Sequence, residues 1–285
     1  MSQLFGVILS IMKFESHVQG DKTTREIVEI LVDETGLSKR RLKDAMHKGA
    51  VWVTGVRGTQ RVRGWRKTLE DSGIVHLYYD ENVLSEIPTA AVLVSDEGAY
   101  SIWNKPFGMR SQGSKWADHC TITRWAEKHL QPFRPAFLVH RLDRAASGLM
   151  IVAHEKRIAS QFGKLFETRV IEKRYRATVH GCVRETGSSL LIESKVDGRE
   201  ARSHYKRELY DAGSDKSVVV VEIETGRKHQ IRRHLAEIGH PVVGDRLYGS
   251  PGDREDLQLV SEFLAFDCPV GGDRKEFRVA SQHGI

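Results

Sequence analysis

The stretch VHRLDRAASGLMIVA, residues 139–153, decides how the chain is read. Its second half, GLMIVA, is a short continuous apolar run entered through Ser-Gly, the pattern of a strand buried on both faces. The residues before it then lie in the loop at that strand's mouth. This places the Asp143 carboxylate at the edge of a core, with Arg141 two positions away. Taken alone, the triplet is also satisfied by an ion pair of Asp143 with Arg141 or Arg144 that merely closes a loop. Other parts of the chain have to decide between a structural and a chemical carboxylate.

Of 285 residues, 40% are hydrophobic, enough for one large domain or two ordinary ones. No apolar run approaches the roughly 18 residues of a membrane span. FGVILSIM near the start has neither a basic leader nor a small-residue cleavage site and reads as a strand or buried segment. Cys120, Cys182 and Cys268 are widely spaced, odd in number and without CxxC, so they define neither a disulfide framework nor a zinc knuckle. The expected compartment is the cytoplasm. The net charge of +6 is unevenly held: between Leu37 and Lys67 lie ten basic residues (Lys39, Arg40, Arg41, Lys43, Lys48, Arg57, Arg61, Arg63, Arg66, Lys67) against Asp44 alone. That segment carries +9 and the remainder of the chain −3. Counterion release from a phosphate backbone rewards such a stripe, and a solvated surface patch is the alternative.

The spacing predicts a helix in TTREIVEILVDETG, with Ile27, Ile30 and Leu31 inward, a Thr near its start able to cap, and an end at Gly36. LSKRRLKDAMHKG repeats the pattern, with Ser38 as N-cap, Leu42, Ala45 and Met46 inward, Gly49 as C-cap, and Lys39, Arg40 and Lys43 on the exposed side. AVWVTG, Trp65 to Leu69, and GIVHLYYD read as short strands. Together these form a module of two helices followed by a small sheet, and SEIPTAAV breaks the periodicity as a linker. The expected division is a small domain over 1–84, a linker over 85–92 and a second domain over 93–285.

In the second part, AYSIWNKPFGM is a strand turning at Lys105-Pro106, and TRWAEKHL and KRIASQFGKLF are helices, the latter with Ile158, Phe162 and Leu165 on one side. IEKRYRATVHG alternates and puts Tyr175 on the core side of a half-buried strand. VVVVEIETG is another buried strand. GRKHQIRRHLAEIG is a helix with an inward stripe of Ile231, Leu235 and Ile238 and a C-cap at Gly239. At about 100° per residue, Arg232 lies on the shoulder of that stripe and can reach a pocket, whereas Arg233 points outward.

His229 and His234 are five apart and face different ways, so a metal pair is disfavoured. There is no GxxxxGK[ST], no GxGxxG after a strand and no GxSxG elbow, which argues against nucleotide cofactors and a serine nucleophile. What remains is one carboxylate, one phenol and one guanidinium, Asp143, Tyr175 and Arg232, beside an RNA-seeking module: a single-Asp enzyme acting on nucleic acid.

At these residues the chain resembles a known family. HRLDRAASGLMIVA resembles the HRLDxxTSGLLLLA signature of the RluA family of pseudouridine synthases, and TGRKHQIRRHLAEIGHPVVGDRLYG, residues 225–249, resembles its second long signature. NKPFGM and EKRYRATV match the family's NKPxG and KxYxA motifs, so four motifs stand in order over about residues 95–270. Residues 1–84 resemble more weakly the alpha-L RNA-binding motif of ribosomal-protein type. Two departures stand out: Ala146 replaces the usual Thr before Ser-Gly, and the segment MRSQGSKWADHC has no counterpart to which a role can be assigned.

The resemblance implies an α+β enzyme with a mixed, largely antiparallel sheet, flanking helices, a cleft across the sheet and a small N-terminal α/β RNA-binding domain. It implies isomerisation of uridine to pseudouridine in ribosomal or transfer RNA without cofactor or metal, by a monomer. The catalytic set would be Asp143, Tyr175 and Arg232, with Arg232 pairing with and orienting Asp143 and Tyr175 stacking on, or deprotonating near, the flipped base. Arg141 would fill the space the uridine vacates, and His140 would be structural. Lys39, Arg40, Arg41, Lys43, Lys48, Arg57 and Arg61 would contact RNA. The alternatives are a non-catalytic RNA-binding or assembly factor, and a base-excising glycosidase, which needs a water-activating group that is not evident.

Overall fold

The computed structural model describes residues 11–20, 25–69, 73–185 and 187–279. The chain forms two compact units, one of residues 1–88 with 112–124 and the other of 89–111 with 125–285. Most of the segment after the NKPFG turn, from Gln112 on, thus belongs with the first unit, although it lies within the second part of the sequence.

The first unit contains strand β1 (Lys13–Gln19), helices α1 (Ile27–Thr35) and α2 (Lys39–Lys48), strands β2 (Val51–Gly55), β3 (Gly58–Arg61) and β4 (Ile74–Asp80), and the short helix α3 (Glu81–Ser85). Its sheet runs β1-β4-β2-β3, all antiparallel. Ser38 accepts a bond from the Arg41 N–H, and Gly36 and Gly49 close their helices in the left-handed conformation, as the spacing predicts. The apolar stripes of α1 and α2 (Ile27, Leu31, Leu42, Met46) pack on Val51, Val75 and Leu77 of the sheet.

Three expectations need correction. Trp65 to Leu69 is a turn, not a strand: only Thr68 bridges back to Glu26, and the strand after β2 is the charged Gly58–Arg61. The two helices do not simply precede the sheet, because β1 comes before them and pairs with β4. The first helix begins at Ile27 behind Glu26, with no side-chain cap; Thr23 and Thr24 lie outside the described residues, as does most of FGVILSIM.

The second unit begins with β5 (Val92–Asp96) and β6 (Tyr100–Lys105). Helix α4 (Ile122–His129) follows, then β7 (Phe137–Leu138), β8 (Ser147–Ala153), helix α5 (Lys156–Glu167) and β9 (Glu172–His180). The chain continues through β10 (Leu190–Val196), β11 (Arg199–Asp211), β12 (Lys216–Ile223), helix α6 (Gln230–Glu237), β13 (Leu259–Asp267) and β14 (Arg274–Arg278). The sheet order is β10-β11-β12-β9-β13-β8-β6-β5, with β14 on β13 and β7 on β8. Among the described residues only β13 against β8 is parallel, so the sheet is mixed and largely antiparallel. Every residue from Gly148 to Ala153 is buried, as the apolar run predicts. Ile158 and Phe162 of α5 cover Leu149, Ile151 and Phe266.

Candidate active site

Asp143 lies in the loop that enters β8, and that loop is held from three sides. The Lys105 ammonium, itself fully buried, donates to the carbonyls of Pro106, Met109 and Ala146 at 3.0, 2.9 and 2.5 Å, so the NKPFG turn and the Asp143 loop share one cation. Burial pulls Lys105 down to about 7 against the pull of Asp143. Ser111 brackets Leu142, donating to its carbonyl and accepting from its N–H. Gly148 supplies the third support. A side chain there would meet the Ser261 carbonyl at 2.3 Å, and its φ of +109° is open only to glycine. The missing hydroxyl at Ala146 leaves no gap, since Ala146 is buried and its N–H reaches the Asp143 carbonyl at 3.2 Å.

Arg232 arrives on the third residue of α6 with its side chain buried, as the helical geometry predicts, while Arg233 turns to Tyr248 and Asp197. Helix α6 starts at Gln230, later than the periodicity suggests. Its entry is fixed by the Gln230 side chain, which accepts from the Thr225 hydroxyl and the Arg227 N–H and donates to Arg202 and Ser203. With all its polar atoms paired, Gln230 holds His229 in the left-handed conformation (φ +55°). Arg232 then donates twice to Asp245, at 2.7 and 2.6 Å, and once to Asp143 at 3.3 Å. Burial disfavours the guanidinium charge, but Asp245 and Asp143 outweigh it and Arg232 ends above its ordinary value. Burial likewise works against an ionised Asp245, and Arg232 with the Leu247 and Tyr248 N–H groups more than offsets it.

Arg141 forms no ion pair with Asp143 among the described residues and is exposed on the wall of a cleft, while Arg144 bonds to the Gly108 carbonyl. That cleft, of about 690 Å³, is also lined by Asp143, Tyr175, Lys173 and Arg227, and a recess of about 90 Å³ carries it on to His229 and Arg232. Tyr175 is buried, and burial, then the charge of Asp143, pushes its phenol well up. His140 accepts from the Ile151 N–H and stacks on Phe166; burial and the nearby Lys173 push its imidazole down to about 3.

Asp143, Tyr175, Arg232 and Arg141 therefore meet in one place. Asp245 was not singled out by sequence reasoning, Lys105 was read only as a turn residue and His229 only as a metal ligand, although each sits inside a quoted motif. His229 lies with Nε2 3.7 Å from Asp143 and Nδ1 3.0 Å from the Tyr248 hydroxyl. Burial lowers its pKa, with Asp143 pulling the other way.

The basic stripe of the first unit sorts differently. Lys39 pairs with Glu29, Arg41 with Glu81, and Lys48 with Asp44. Arg61 and Arg63 both close on Asp118, and Arg61 lies over the Trp52 ring, with its side chain 16% exposed. Lys43 is half-buried, its ammonium 3.9 Å from the Trp65 ring centroid. Arg40 and Arg57 are exposed and form no ion pair among the described residues.

The second unit has the fold of the pseudouridine synthases. Human RNA pseudouridylate synthase domain containing 1 superposes with a TM-score of 0.55 at 24% identity, over 69% of this chain and 86% of that one. Residues 99–237 match the RNA pseudouridylate synthase family. An uncharacterised RNA pseudouridine synthase of Bacillus subtilis, YjbO, is 30% identical over 86% of this chain and 91% of its own. The dual-specificity RNA pseudouridine synthase RluA of Escherichia coli O157:H7 is 31% identical over 67% of this chain and 93% of its own. The chain belongs to the RluA family of RNA pseudouridine synthases, enzymes that isomerise uridine in RNA to pseudouridine.

Proposed function

We propose that Asp143 is the catalytic carboxylate of this isomerase and that the first unit holds its RNA substrate. The reaction breaks the bond from N1 to the anomeric carbon, turns the base and joins C5 to that carbon; the C5 proton leaves and N1 ends protonated. It is redox-neutral and neutral in atoms. Asp143 serves either route, adding to the anomeric carbon or removing the proton beside it. The observation that carries the assignment is the asymmetry of Arg232: its bidentate face is given to Asp245, and a single 3.3 Å contact orients Asp143. Asp143 keeps oxygen lone pairs for the sugar at the cleft wall.

Tyr175 packs against the base as a neutral phenol. Its raised pKa argues against a role as base at neutral pH, where a general base works best with a pKa near the working value. Arg141, exposed on the cleft wall, takes the place of the extruded uridine in the RNA stack. Residues 1–84 act as the RNA-binding domain, 85–92 as the linker and 93–285 as the catalytic domain. Arg40, Lys43 and Arg57 approach phosphates, while Lys39, Arg41 and Lys48 exchange a surface carboxylate for one, a small cost in water. The substrate is a structured ribosomal or transfer RNA, and the enzyme works as a cytoplasmic monomer.

The test is chemical mapping of pseudouridine in total RNA from cells lacking the protein, complemented with the wild type or Asp143→Asn. One site should vanish and return only with the wild type. Restoration by Asp143→Asn would remove the carboxylate from the chemistry and favour an RNA-assembly role.

A further inference from the structure

The alternation of β9 places Lys173 and Tyr175 on one face, about 6.6 Å apart along the strand, and both line the cleft that contains Asp143. Tyr175 is buried and Lys173 half-buried. The Lys173 ammonium lies 5.6 Å from the Phe166 ring, whose other contact is the neutral His140. Arg169, in the left-handed conformation (φ +59°) just beyond α5, rises on the same wall.

No carboxylate among the described residues pairs with either cation. Lys173 is pushed below its ordinary value first by burial and then by Arg169, with nothing acting the other way. Two acidic side chains share the wall. Glu167 is exposed, and Glu224 is bound to His204 at 2.7 Å and lies 3.9 Å from Arg202, with Arg169 acting on it only through the weaker, longer-range attraction of its charge. Lys173 is half-buried and Arg169 exposed beside it, so the two place their charges on one wall and the desolvated Lys173 gains most from an anion that a ligand brings. The ligand of this cleft is RNA, and its only anionic group is the phosphodiester. Asp143, on the lining of the same cleft, repels phosphate, so a phosphodiester is drawn to the cations and away from the carboxylate.

We propose that Lys173 and Arg169 form a phosphate seat for the RNA backbone, clamping one phosphodiester beside the target uridine so that its sugar is delivered to Asp143. Lys173 supplies a point charge and Arg169 a planar fork, which suits a tetrahedral anion held at a rim. The proposal rests on the reading of Asp143 above, and its test separates the two.

The probe is a fluorescently labelled stem-loop carrying the uridine identified by mapping, prepared as a series with one neutral methylphosphonate at each phosphate around it. Dissociation constants from anisotropy, and kcat and KM from turnover, are measured for wild type, Lys173→Gln, Arg169→Gln and Lys173→Arg. One methylphosphonate position should weaken wild-type binding about tenfold. Lys173→Gln and Arg169→Gln should weaken the unmodified RNA similarly, lose nothing further at that position, and keep kcat within about twofold. Lys173→Arg should behave as wild type. A merely structural Lys173 would lower kcat and add its loss equally at every position. If the losses add at every phosphate while turnover persists, the seat is overturned and the isomerase reading stands. Coupling without turnover would keep the seat and remove the assignment of Asp143.

Discussion

The two units answer the same electrostatic problem in opposite ways. In the catalytic unit one guanidinium, Arg232, faces two carboxylates, Asp245 and Asp143. In the first unit one carboxylate, Asp118, faces two guanidiniums, Arg61 and Arg63. Among guanidiniums and carboxylates the first cluster has one negative charge in excess, which the nearby Lys105 opposes, and the second has one positive charge in excess. Surplus anion in a desolvated cleft is costly and retains reactivity, whereas surplus cation on a partly exposed surface costs little and attracts a polyanion. The comparison teaches that an ion pair's function lies in its remainder: Asp245 consumes the directional bonds of Arg232, and Asp143 is left with the weaker contact.

The largest expected effect follows from removing the stronger partner. Asp245→Asn keeps the shape but leaves Arg232 free to close on Asp143, so kcat should fall by about a hundredfold or more. Stability should fall by about 3–5 kcal/mol, the usual penalty for breaking a buried pair. Chemical denaturation and single-turnover kinetics read both, and unchanged kcat with lost stability would break the comparison. Next is Arg141→Ala, which should slow turnover about tenfold more on a folded stem-loop than on an unstructured oligonucleotide, since only the former must be unstacked. Equal losses on both would leave Arg141 without its assigned role.

Asp118→Asn should cost about 1–2 kcal/mol, less than its counterpart because the cluster is partly exposed. By freeing Arg61 and Arg63 it should also steepen the salt dependence of RNA affinity, and an unchanged slope would mean that this surface does not meet phosphate. The smallest effect concerns acid. Folded His140 takes its proton near 3 and the unfolded imidazole near 6.5, so between these values the unfolded chain holds the extra proton and stability falls as pH falls. His140→Phe should reduce the slope of unfolding free energy against pH by up to one proton in that window, measured by urea titrations between about pH 4 and 6.5.

Arg232 and Arg233 were distinguishable in the sequence because 100° per residue separates a shoulder from an outward position, and the apolar run 148–153 announced its own burial. Asp245 was not distinguishable, although its motif was quoted. Its partner lies 13 residues upstream across a turn, and no periodicity encodes which carboxylate a guanidinium will prefer. His229 was weighed only as a metal ligand, because a left-handed residue at a helix entry is set by the Gln230 bonds and leaves no trace in spacing. Trp65 to Leu69 was misread for the opposite reason: its composition suits a strand, but the strand place beside β2 was taken by Gly58–Arg61 through a two-residue turn. The hairpin of β10 and β11 went unforeseen because its exposed faces carry charges that blur the alternation.

The contact between Gly148 and Ser261 has a consequence for the order of events during synthesis. Strand β13 lies in the middle of the sheet, between β9 and β8, yet it follows both of them in the chain, with three strands and a helix between it and β9. Until residues 259–267 emerge from the ribosome, β8 and β9 lack their shared neighbour, and the Asp143 loop lacks the backbone that braces it. A growing chain therefore carries every residue assigned to catalysis long before it can hold them in place. The sheet around Asp143 is thus completed by a strand that the chain delivers after every residue assigned to catalysis.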